Sequence, residues 1–426
     1  MGDNPSLVGK KLLFLGGSVH EVDLVKRARE LGVYTIVTDY NDPEESPAKQ
    51  FSDEYWMISW SDIDLLEKKC TETKVDGVIA GYSEFRVENM IKLCKRLDLP
   101  CYCTEQQLEI TRDKALFKET CRRYHIPVVK EYGSVAAVTH FPVIVKPVDR
   151  GGSIGISVAS NMDELEKAYA YAMEMSVCRQ VIIEDYIVNG TKFDAYYAIS
   201  GGEITLLATS DTINAQSNGC DKVIQSGWTL PSKHQNRFER YVDQAIRAFL
   251  KGIGIRDGFI FFSGFVTEGQ FVFFETGFRL SGGHMYRFFK EMHYPDIQDI
   301  FIYHALTGHS IGVARDREQL DTEIKCLIIN FYAKKGRLSA VSGLEEIEKM
   351  DTCGLVLPSC RVGSMCKDDK AILTKLLMVH LYGYEPSRLA KDAEKVYALY
   401  QAKDENGDDM VFDRMNTDAI LDSWIK

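Results

Sequence analysis

An acidic and a basic residue, Glu275 and Arg279, stand at the end of the apolar run FVFF, where a folded chain normally presents neither. The carboxylate of Glu275 is a hard oxygen ligand of the kind that Mg²⁺ prefers, and the planar guanidinium of Arg279 suits a phosphate group. The types and spacing of these residues predict a site for a metal ion and a phosphoryl group. The run SGGH follows after Leu280 and consists of Ser281, Gly282, Gly283 and His284.

Lys146 ends a second apolar run, PVIVK, where an amine is costly unless an anion lies beside it. A glycine-rich segment follows and contains Gly151, Gly152, Ser153 and Gly155. Small side chains let backbone N–H groups approach a ligand, so the amine and the loop together favour a phosphate cradle. A hairpin turn beside a lysine that extends to solvent fits the same residues, and the local pattern leaves both interpretations open.

A third run, VIIEDYIV, places acidic residues among apolar ones in the order Glu184, Asp185, Tyr186 and Ile187. Backbone groups of such a segment could hydrogen-bond a flat heterocycle, although an edge strand with a solvated acidic pair fits equally well. The sequence contains no G-x-x-x-x-G-K-[ST] loop and neither of the kinase signatures H-R-D and D-F-G. Together the motifs indicate ATP and Mg²⁺ held by a different fold.

The elements that must position these residues change in character along the chain. The front alternates short apolar runs with amphipathic segments, as in KLLFLGG, VDLVKRARELG and YTIVTDY, which predicts a parallel sheet with helices on both faces. In the middle, long apolar runs broken at Asn189-Gly190 and Gly201-Gly202 predict antiparallel pairing. The predicted fold class is therefore α/β and α+β, in several domains.

Three local predictions bear on the site. Gly16 and Gly17, with Asp39 at the end of the second strand, could bind a dinucleotide, but the run GGSVHE lacks the G-x-G-x-x-G fingerprint and a tight turn is favoured. One helix is predicted within TRDKALFKETCRRYHIPVV and another over residues 235–250. Residues 211–232 have little periodicity and many turn formers, which predicts a loop over a binding face.

Composition excludes several classes of protein. With 426 residues the chain is long enough for two to four domains, and its net charge of -11 gives no overall attraction for nucleic acid or anionic lipid. The 11 cysteines show no zinc-ligand spacing and are expected to be reduced thiols in a cytoplasmic protein. No apolar stretch approaches the roughly 18 residues of a membrane span.

Four segments in the order TRDKALFK, PVIVKPVDRGGSIGI, VIIEDYI and FFETGFRLSGG resemble the ATP-grasp superfamily of carboxylate–amine ligases. The resemblance covers about residues 10–310, and the remainder is similar to the C-terminal domains of L-amino acid ligases. It implies a Rossmann-like pre-ATP-grasp domain over residues 1–107 and a small ATP-grasp subdomain over 108–187. A large subdomain with the metal and phosphoryl site would follow over 188–310, and a C-terminal α+β domain over 311–426.

The resemblance also implies roles for individual residues. Lys114 and Lys146 match the two lysines that contact the ATP phosphates, and residues 151–155 match the glycine loop that closes over them. Residues 184–187 match the hinge that holds adenine, and Arg279 matches the arginine that steadies the transferring phosphoryl group. The implied reaction is phosphorylation of a carboxylate by ATP, followed by attack of an amine on the acyl phosphate.

The chain departs from the family pattern at three positions. Members usually carry E-x-N-x-R, but Gly277 stands where the asparagine ligand is expected. Ser263 occupies the place of a second carboxylate or glutamine, and Lys192 the place of the carboxylate that commonly binds ribose. With Glu275 as the only protein carboxylate assigned to the metal, we expect weak magnesium binding.

Three functions compete at this stage. The first is an ATP-dependent ligase with an amino acid as one expected substrate, bound near residues 281–284 and 211–232. The second is a nucleotide-binding regulatory protein with weakened catalysis. The third is a carboxylase component that activates bicarbonate, although the sequence lacks a biotin-carrier M-K-M segment. The expected partners are ATP and small-molecule carboxylates and amines, without nucleic acid or membrane, and a homodimer is left open.

Overall fold

A computed structural model describes residues 5–149, 154–215, 224–314, 323–367, 374–412 and 414–424 of the chain. The predicted loop residues Gly151, Gly152 and Ser153 lie outside this part. Within the described ranges, no helix is long and apolar enough to cross a membrane.

The front segment folds as alternating strands and helices around a parallel sheet. Its elements are β1 (Lys11–Leu15), α1 (Val22–Glu30), β2 (Tyr34–Thr38), β3 (Glu54–Trp56), α2 (Ile63–Thr73), β4 (Gly77–Ile79) and α3 (Glu84–Leu97), with 3-10 turns at Val19–Glu21 and Pro47–Phe51. The strand order is β3-β2-β1-β4. Leu13 of β1, Leu24 of α1 and Ile36 of β2 are fully buried. The predicted Rossmann-like architecture is confirmed.

The glycine turn after β1 is closed by Asp39. The Gly17 N–H and Ser46 Oγ donate to Asp39 Oδ2 at 2.9 and 2.7 Å. Lys49 Nζ lies 2.8 Å from Asp39 Oδ1, and both side chains are buried. Because the protein itself satisfies this carboxylate, the structure favours the tight turn over a dinucleotide site.

The next segment contains a pair of helices and a small sheet. Its elements are α4 (Glu105–Arg112), α5 (Lys114–Arg123), β5 (Glu131–Tyr132), a 3-10 turn at Val135–Ala137, β6 (Val143–Pro147), β7 (Ser157–Ala159), α6 (Met162–Met175) and β8 (Val181–Asp185). The sheet is antiparallel in the order β5-β8-β6-β7. Leu165 and Ala172 of α6 are buried with Val143 and Val145 of β6 in one core.

The single helix predicted around residues 111–129 is wrong, because the chain changes direction at Asp113. Asp113 has φ −77° and ψ 116°, and its carboxylate accepts a hydrogen bond from the Leu116 N–H at 2.8 Å. An aspartate in this position caps the start of a new helix. Lys114 consequently becomes the first residue of α5.

The remaining elements follow in two groups. Before residue 310 they are β9 (Thr191–Ser200), β10 (Glu203–Asn214), β11 (Gln225–Leu230), α7 (Gln235–Tyr241), α8 (Asp243–Gly252), β12 (Gly258–Thr267), β13 (Gln270–Gly277), α9 (Tyr286–Glu291) and α10 (Ile297–Thr307). After it they are β14 (Lys325–Tyr332), β15 (Gly336–Arg337), β16 (Ala340–Ser342), α11 (Leu344–Glu348), β17 (Cys353–Pro358), β18 (Met365–Cys366), β19 (Lys375–Gly383), α12 (Pro386–Leu399), β20 (Gln401–Lys403) and α13 (Thr417–Asp422).

The largest sheet runs across both groups. Its described strands are antiparallel in the order β13-β12-β9-β10-β11-β14-β19-β17. Because β11 pairs with β14, the sheet crosses the predicted boundary between residues 310 and 311. The division of the chain into domains stays a prediction.

Two further local predictions differ from the structure. Residues 211–214 and 225–230, predicted as loop, lie in β10 and β11, since cross-strand partners stabilise segments that carry no clear period of their own. Residues 216–223 of the predicted loop lie outside the described residues. The helix predicted over residues 235–250 is interrupted at Val242, where φ is −127°.

Candidate active site

Two buried lysines meet one carboxylate where the small sheet contacts α5. Lys146 Nζ lies 2.5 Å from Glu184 Oε2, and Lys118 Nζ contacts the other oxygen of Glu184. Lys118 Nζ also lies 3.2 Å from Glu131 Oε1. Lys118, Lys146 and Glu184 are all buried. Glu184 therefore anchors the two lysines in this structure, and its contact with an adenine stays a prediction.

Burial makes both amines easier to deprotonate. It lowers the pKa of Lys146 to about 7, aided by the Lys118 ammonium, while the Glu275 carboxylate acts in the opposite direction. It also lowers the pKa of Lys118 to about 8. The charge of Lys114 contributes to the lowering of both pKa values, so the two predicted lysines lie near each other. An anion among three amines would relieve their mutual repulsion.

Lys118 is absent from the sequence-based prediction, although its spacing carries a signal. It follows Lys114 by four residues and stands between Phe117 and Cys121 in the buried stripe of α5. Residues four apart lie on one side of a helix, and a buried lysine requires an acidic partner. The partner, Glu184, is supplied by tertiary packing and could not be identified from the local sequence.

The described end of the glycine loop is held closely against its surroundings. Gly155 has φ +75°, and a Cβ placed there would lie 2.7 Å from Pro147 Cγ and 2.8 Å from Met175 Cβ. Before the loop, the Asp149 carboxylate accepts hydrogen bonds from the Cys178 N–H at 2.8 Å and Ser176 Oγ at 3.0 Å. The residues that flank the predicted loop, Asp149 and Gly155, are thus closely packed against the rest of the small sheet and α6.

The predicted adenine hinge keeps only part of its backbone for a ligand. The N–H groups of Asp185 and Tyr186 each donate, at 3.1 Å, to the carbonyl oxygens of Lys130 and Pro142. The hinge lines a pocket whose opposite wall includes the turn between β12 and β13. Lys146 and Arg279 do not line this pocket, so it is separate from the proposed phosphoryl position.

Glu275 lies within electrostatic range of Lys146, at the end of β13. Although burial dominates the lowered pKa of Lys146, the Glu275 carboxylate opposes that effect and raises it. Among the described residues, no side chain forms a hydrogen bond or ion pair with this half-buried carboxylate. It is therefore free of described partners and available to a cation.

Arg279 is held in place by the front segment. Its Nε donates to Glu84 Oε1 at 2.8 Å, and an Nη donates to its neighbour Leu280 through the carbonyl oxygen at 3.0 Å. The guanidinium also lies 5.4 Å from the centroid of the Phe261 ring. Glu84 was not predicted as a site residue, because nothing local to the first residue of α3 indicates a partner 195 positions away.

Phe261 fills the space that an asparagine at position 277 would need. A Cβ on Gly277 would lie 2.5 Å from Phe261 Cζ and 2.7 Å from Cε1. The ring thus takes the place of the missing ligand and supports Arg279 instead. In the described part of the chain, no group of three or more His, Cys, Asp or Glu side chains converges on a metal position. Glu275 fits Mg²⁺ only if the nucleotide phosphates and water supply the remaining ligands.

The run at residues 281–284 turns its histidine inward. His284 is fully buried, and its Nε2 lies 2.8 Å from His20 Nδ1. Its Nδ1 lies 2.7 Å from the hydroxyl of Tyr286, which donates to Asp23 Oδ2 at 2.6 Å. Ser281 and Gly282 remain partly exposed while Gly283 is buried. Direct contact of His284 with a substrate stays a prediction. In this conformation both ring nitrogens of His284 contact protein groups.

Several cations surround the histidine pair. Burial is the main cause that lowers the pKa of His20 to about 4, and the charges of Lys375, Arg86 and Arg279 add to it in that order. Arg86 donates to Glu21 at 2.6 Å and Arg279 to Glu84, but no described carboxylate forms an ion pair with Lys375. This excess of positive charge favours an anionic ligand.

Relatives of known function match part of the chain. A profile of the family described as D-ala D-ala ligase C-terminus matches residues 116–221. Formate-dependent phosphoribosylglycinamide formyltransferase from Prochlorococcus marinus is 25% identical over 190 residues, which are 42% of this chain and 48% of that protein. The carbamoyl phosphate synthase large chain from Clostridium perfringens is 26% identical over 216 residues, 49% of this chain and 20% of that protein. The chain thus spans about half the length of these relatives or less.

Solved structures match almost the whole chain. L-amino acid ligase from Bacillus licheniformis gives a TM-score of 0.76 at 15% identity, covering 94% of this chain and 100% of that one. The biotin carboxylase domain of the Hydrogenobacter thermophilus 2-oxoglutarate carboxylase gives 0.75 at 18% identity, covering 93% and 91%. The chain has an ATP-grasp fold. The resemblance predicted from its four motifs is confirmed.

Within the ATP-grasp fold, the predicted site residues form two groups. Lys114, Lys146 and the 184–187 segment belong to the small sheet and the helix beside it, together with the unpredicted Lys118. Glu275, Arg279 and the 281–284 run belong to the end of β13 and the segment after it. The individual roles of these residues remain predictions.

Proposed function

We propose that the chain is an ATP-dependent ligase that joins a carboxylate to an amine, with an amino acid as one substrate. The observation that carries the proposal is the electrostatic proximity of Lys146 on the small sheet and Glu275 on the large sheet. ATP-grasp ligases bind a nucleotide between two such sheets, as the resemblance implies, and Arg279 stands four residues beyond Glu275.

In the first step, the site residues have separate roles in phosphoryl transfer. A carboxylate oxygen of the acid attacks the γ-phosphorus of ATP, the bond to the β-phosphate oxygen breaks, and ADP leaves. Lys114, Lys146 and Arg279 offset negative charge that develops on the phosphoryl oxygens. Glu275 would hold Mg²⁺, which would supply further neutralisation of the phosphate charge. The product of the step is an acyl phosphate.

In the second step the nitrogen of the amine attacks the acyl carbon, phosphate leaves, and a proton is lost from nitrogen. The cations around His20 support an anionic acid beside Arg279. Because its pKa is lowered to about 4, His20 is neutral near pH 7 and has the protonation state of a base. The contact between His20 and His284 would carry that proton away from the site.

Two observations keep the second candidate, a regulatory nucleotide-binding protein, in consideration. Ser263 and Gly277 stand at two usual metal-ligand positions, and Phe261 closes one of them. Glu275, which forms no ion pair with a described residue, and the anchored Arg279 favour the ligase, because both are suited to a phosphoryl group and its metal ion. The location of the protein in the cytoplasm remains a prediction, and a homodimer remains open.

A screen for ADP release tests the proposal. The protein is incubated with ATP, Mg²⁺ and amino acids, singly and in pairs, and products are identified by mass spectrometry. We expect ADP formation that requires a particular acid, and a product mass equal to acid plus amine less one water. Glu275→Gln provides the matched control and should abolish the activity. ATP binding without any acid-dependent ADP release would support the regulatory alternative, and bicarbonate-dependent release would support a carboxylase component.

A further inference from the structure

A row of polar side chains crosses the large sheet at the level of Glu275. Ser263 on β12 is the register partner of Glu275 on β13 and of Asp194 on β9, and Asp194 is the partner of Ser210 on β10. Partners across antiparallel strands point to the same face of a sheet. Asp194 therefore shares a face with Glu275, with Ser263 between them.

A bulge in β13 brings Glu275 onto this face. Ser263 pairs with Glu275 while the next residue, Gly264, pairs with Phe273, so Phe274 is the additional residue. Without the bulge Glu275 would share a face with Phe273, because alternate residues of a strand point the same way. Phe273 is fully buried against Phe262. The bulge thus turns the carboxylate away from the core and towards Asp194.

Asp194 is a buried acid without a cation partner in the described residues. It is 5% exposed, and Ser263 Oγ donates a short hydrogen bond to its Oδ1. Lys192 and Glu275 both lie within electrostatic range of it. No described lysine or arginine forms an ion pair with it. A buried carboxylate close to another carboxylate is costly unless a cation joins them.

We propose that Asp194 supplies the second protein carboxylate of the magnesium site, in place of the carboxylate that Ser263 lacks. Neighbouring strands are about 4.8 Å apart, so a ligand on β9 would lie one strand away from the usual ligand position on β12, in the same row. Ser263 has no carboxylate for the metal, and its hydroxyl orients Asp194. This inference rests on the proposed function, because Mg²⁺ is expected together with ATP.

Asp211 is the other acid in this region and provides a matched control. It lies next to Ser210 on β10 but pairs with Phe193, so its side chain points to the opposite face. Its carboxylate accepts hydrogen bonds from Ser232 Oγ at 2.7 Å and the Lys233 N–H at 3.2 Å. Like Asp194 it is a buried aspartate on a neighbouring strand of the same sheet, but it lies on the opposite face.

Metal binding provides the test. Mn²⁺ is titrated into protein held in excess over ADP, and free Mn²⁺ is followed by electron paramagnetic resonance. We expect Asp194→Asn to raise the apparent Kd for Mn²⁺ by about tenfold or more, and Asp211→Asn to leave it unchanged. Adding Ser263→Asp to Asp194→Asn should restore part of the affinity. An unchanged Kd in Asp194→Asn, with nucleotide still bound, would overturn this inference and leave the proposed function intact.

A measurement on the unaltered chain covers the case in which Asp194→Asn does not fold. Fe²⁺ replaces Mg²⁺ in the ADP complex, and ascorbate with peroxide generates radicals that cut the backbone near the metal. We expect cleavage near both residue 194 and residue 275. Cleavage near residue 275 alone would overturn the assignment of Asp194. Absence of ADP binding would instead contradict the proposed function.

Discussion

At the scale of single residues, the site brings several amine groups together where little water reaches them. Lys118 and Lys146 share the Glu184 carboxylate, and Lys114 stands close enough to affect both. Burial strengthens every charge interaction in such a place but also favours the neutral amines. The arrival of a polyphosphate should therefore change the protonation of the site.

Nucleotide binding should take up protons at pH 8. The pKa of Lys146 is lowered to about 7 by burial and the Lys118 ammonium, so the amine is mostly neutral at pH 8 without ligand. A phosphate beside it raises the pKa and restores the charge. Calorimetry of ADP binding in two buffers of different ionisation enthalpy measures the uptake. Lys146→Met should reduce it, and an identical uptake in that variant would exclude Lys146 as the group.

Restoring the family asparagine should harm this protein. Gly277→Asn places a Cβ 2.5 Å from Phe261 Cζ, and the displaced ring is the one that lies beneath Arg279. We expect a loss of roughly 1–3 kcal/mol in the free energy of unfolding and no gain in metal affinity. Urea denaturation and Mn²⁺ titration measure the two effects. Tighter metal binding by the single variant would show that the ring yields easily.

At the scale of elements, short interruptions of helices and strands determine where the candidate site residues lie. The break at Asp113 starts α5 at Lys114, and the bulge at Phe274 turns Glu275 out of the core. Gly155 lets the loop after β6 return against Pro147. Each interruption changes the direction of one functional segment.

Gly155→Ala tests the importance of the loop's close return. Alanine must adopt φ +75° and also contacts Pro147 and Met175, so we expect a loss of more than about 1–2 kcal/mol in stability and weaker ADP binding. Gly201→Ala is the control, because Gly201 has φ +58° with no heavy atom within 4 Å. Gly201→Ala therefore measures the cost of the positive φ alone, without steric contacts of the new Cβ. If Gly155→Ala and Gly201→Ala lose the same stability and ADP binding is unchanged, the close return of the loop has no role in binding the nucleotide.

The sequence predicts the elements better than their interruptions. Strands with strong apolar runs, such as β1 and β6, and the helix α6 lie where their periodicity places them. Breaks at Asp113 and Val242 were missed, because an amphipathic period continues across both.

The candidate site was predictable where a motif is local and not where tertiary packing supplies a partner. Lys146, Glu275 and Arg279 were identified from their positions at strand ends. Lys118 and Glu84 were not, since their partners come from distant segments. Asp194 was missed because only the strand register places it in the row with Ser263 and Glu275.

At the scale of the whole molecule, a buried polar cluster joins the front segment, the 281–284 run and the C-terminal strands. His20 contacts His284, Tyr286 donates to Asp23 of α1, and His380 of β19 is fully buried. Burial lowers the pKa values of all three histidines, to about 4 for His20 and about 3 for His380. The segments are thus held together by groups that are neutral near pH 7.

The protein should lose stability as the pH falls below about 6.5. Unfolded histidines have a pKa near 6.5, so the unfolded chain binds protons that the folded chain excludes, and stability present above that pH is lost towards pH 4. His20 alone should contribute a loss of about 2 kcal/mol at pH 5. Urea denaturation at pH 7 and pH 5 checks this. His20→Gln should reduce the difference, and an unaltered difference would exclude His20 as its source.

The central claim, that this chain forms an acyl phosphate from a carboxylate and ATP, is tested most directly by oxygen transfer. A pool of amino acids labelled with ¹⁸O in both carboxyl oxygens is incubated with the protein, ATP and Mg²⁺, and the released phosphate is analysed by mass spectrometry. The account predicts phosphate that carries one ¹⁸O, together with a condensation product, and loss of both in Glu275→Gln. Unlabelled phosphate, released at the same rate by the protein and by Glu275→Gln, would contradict it.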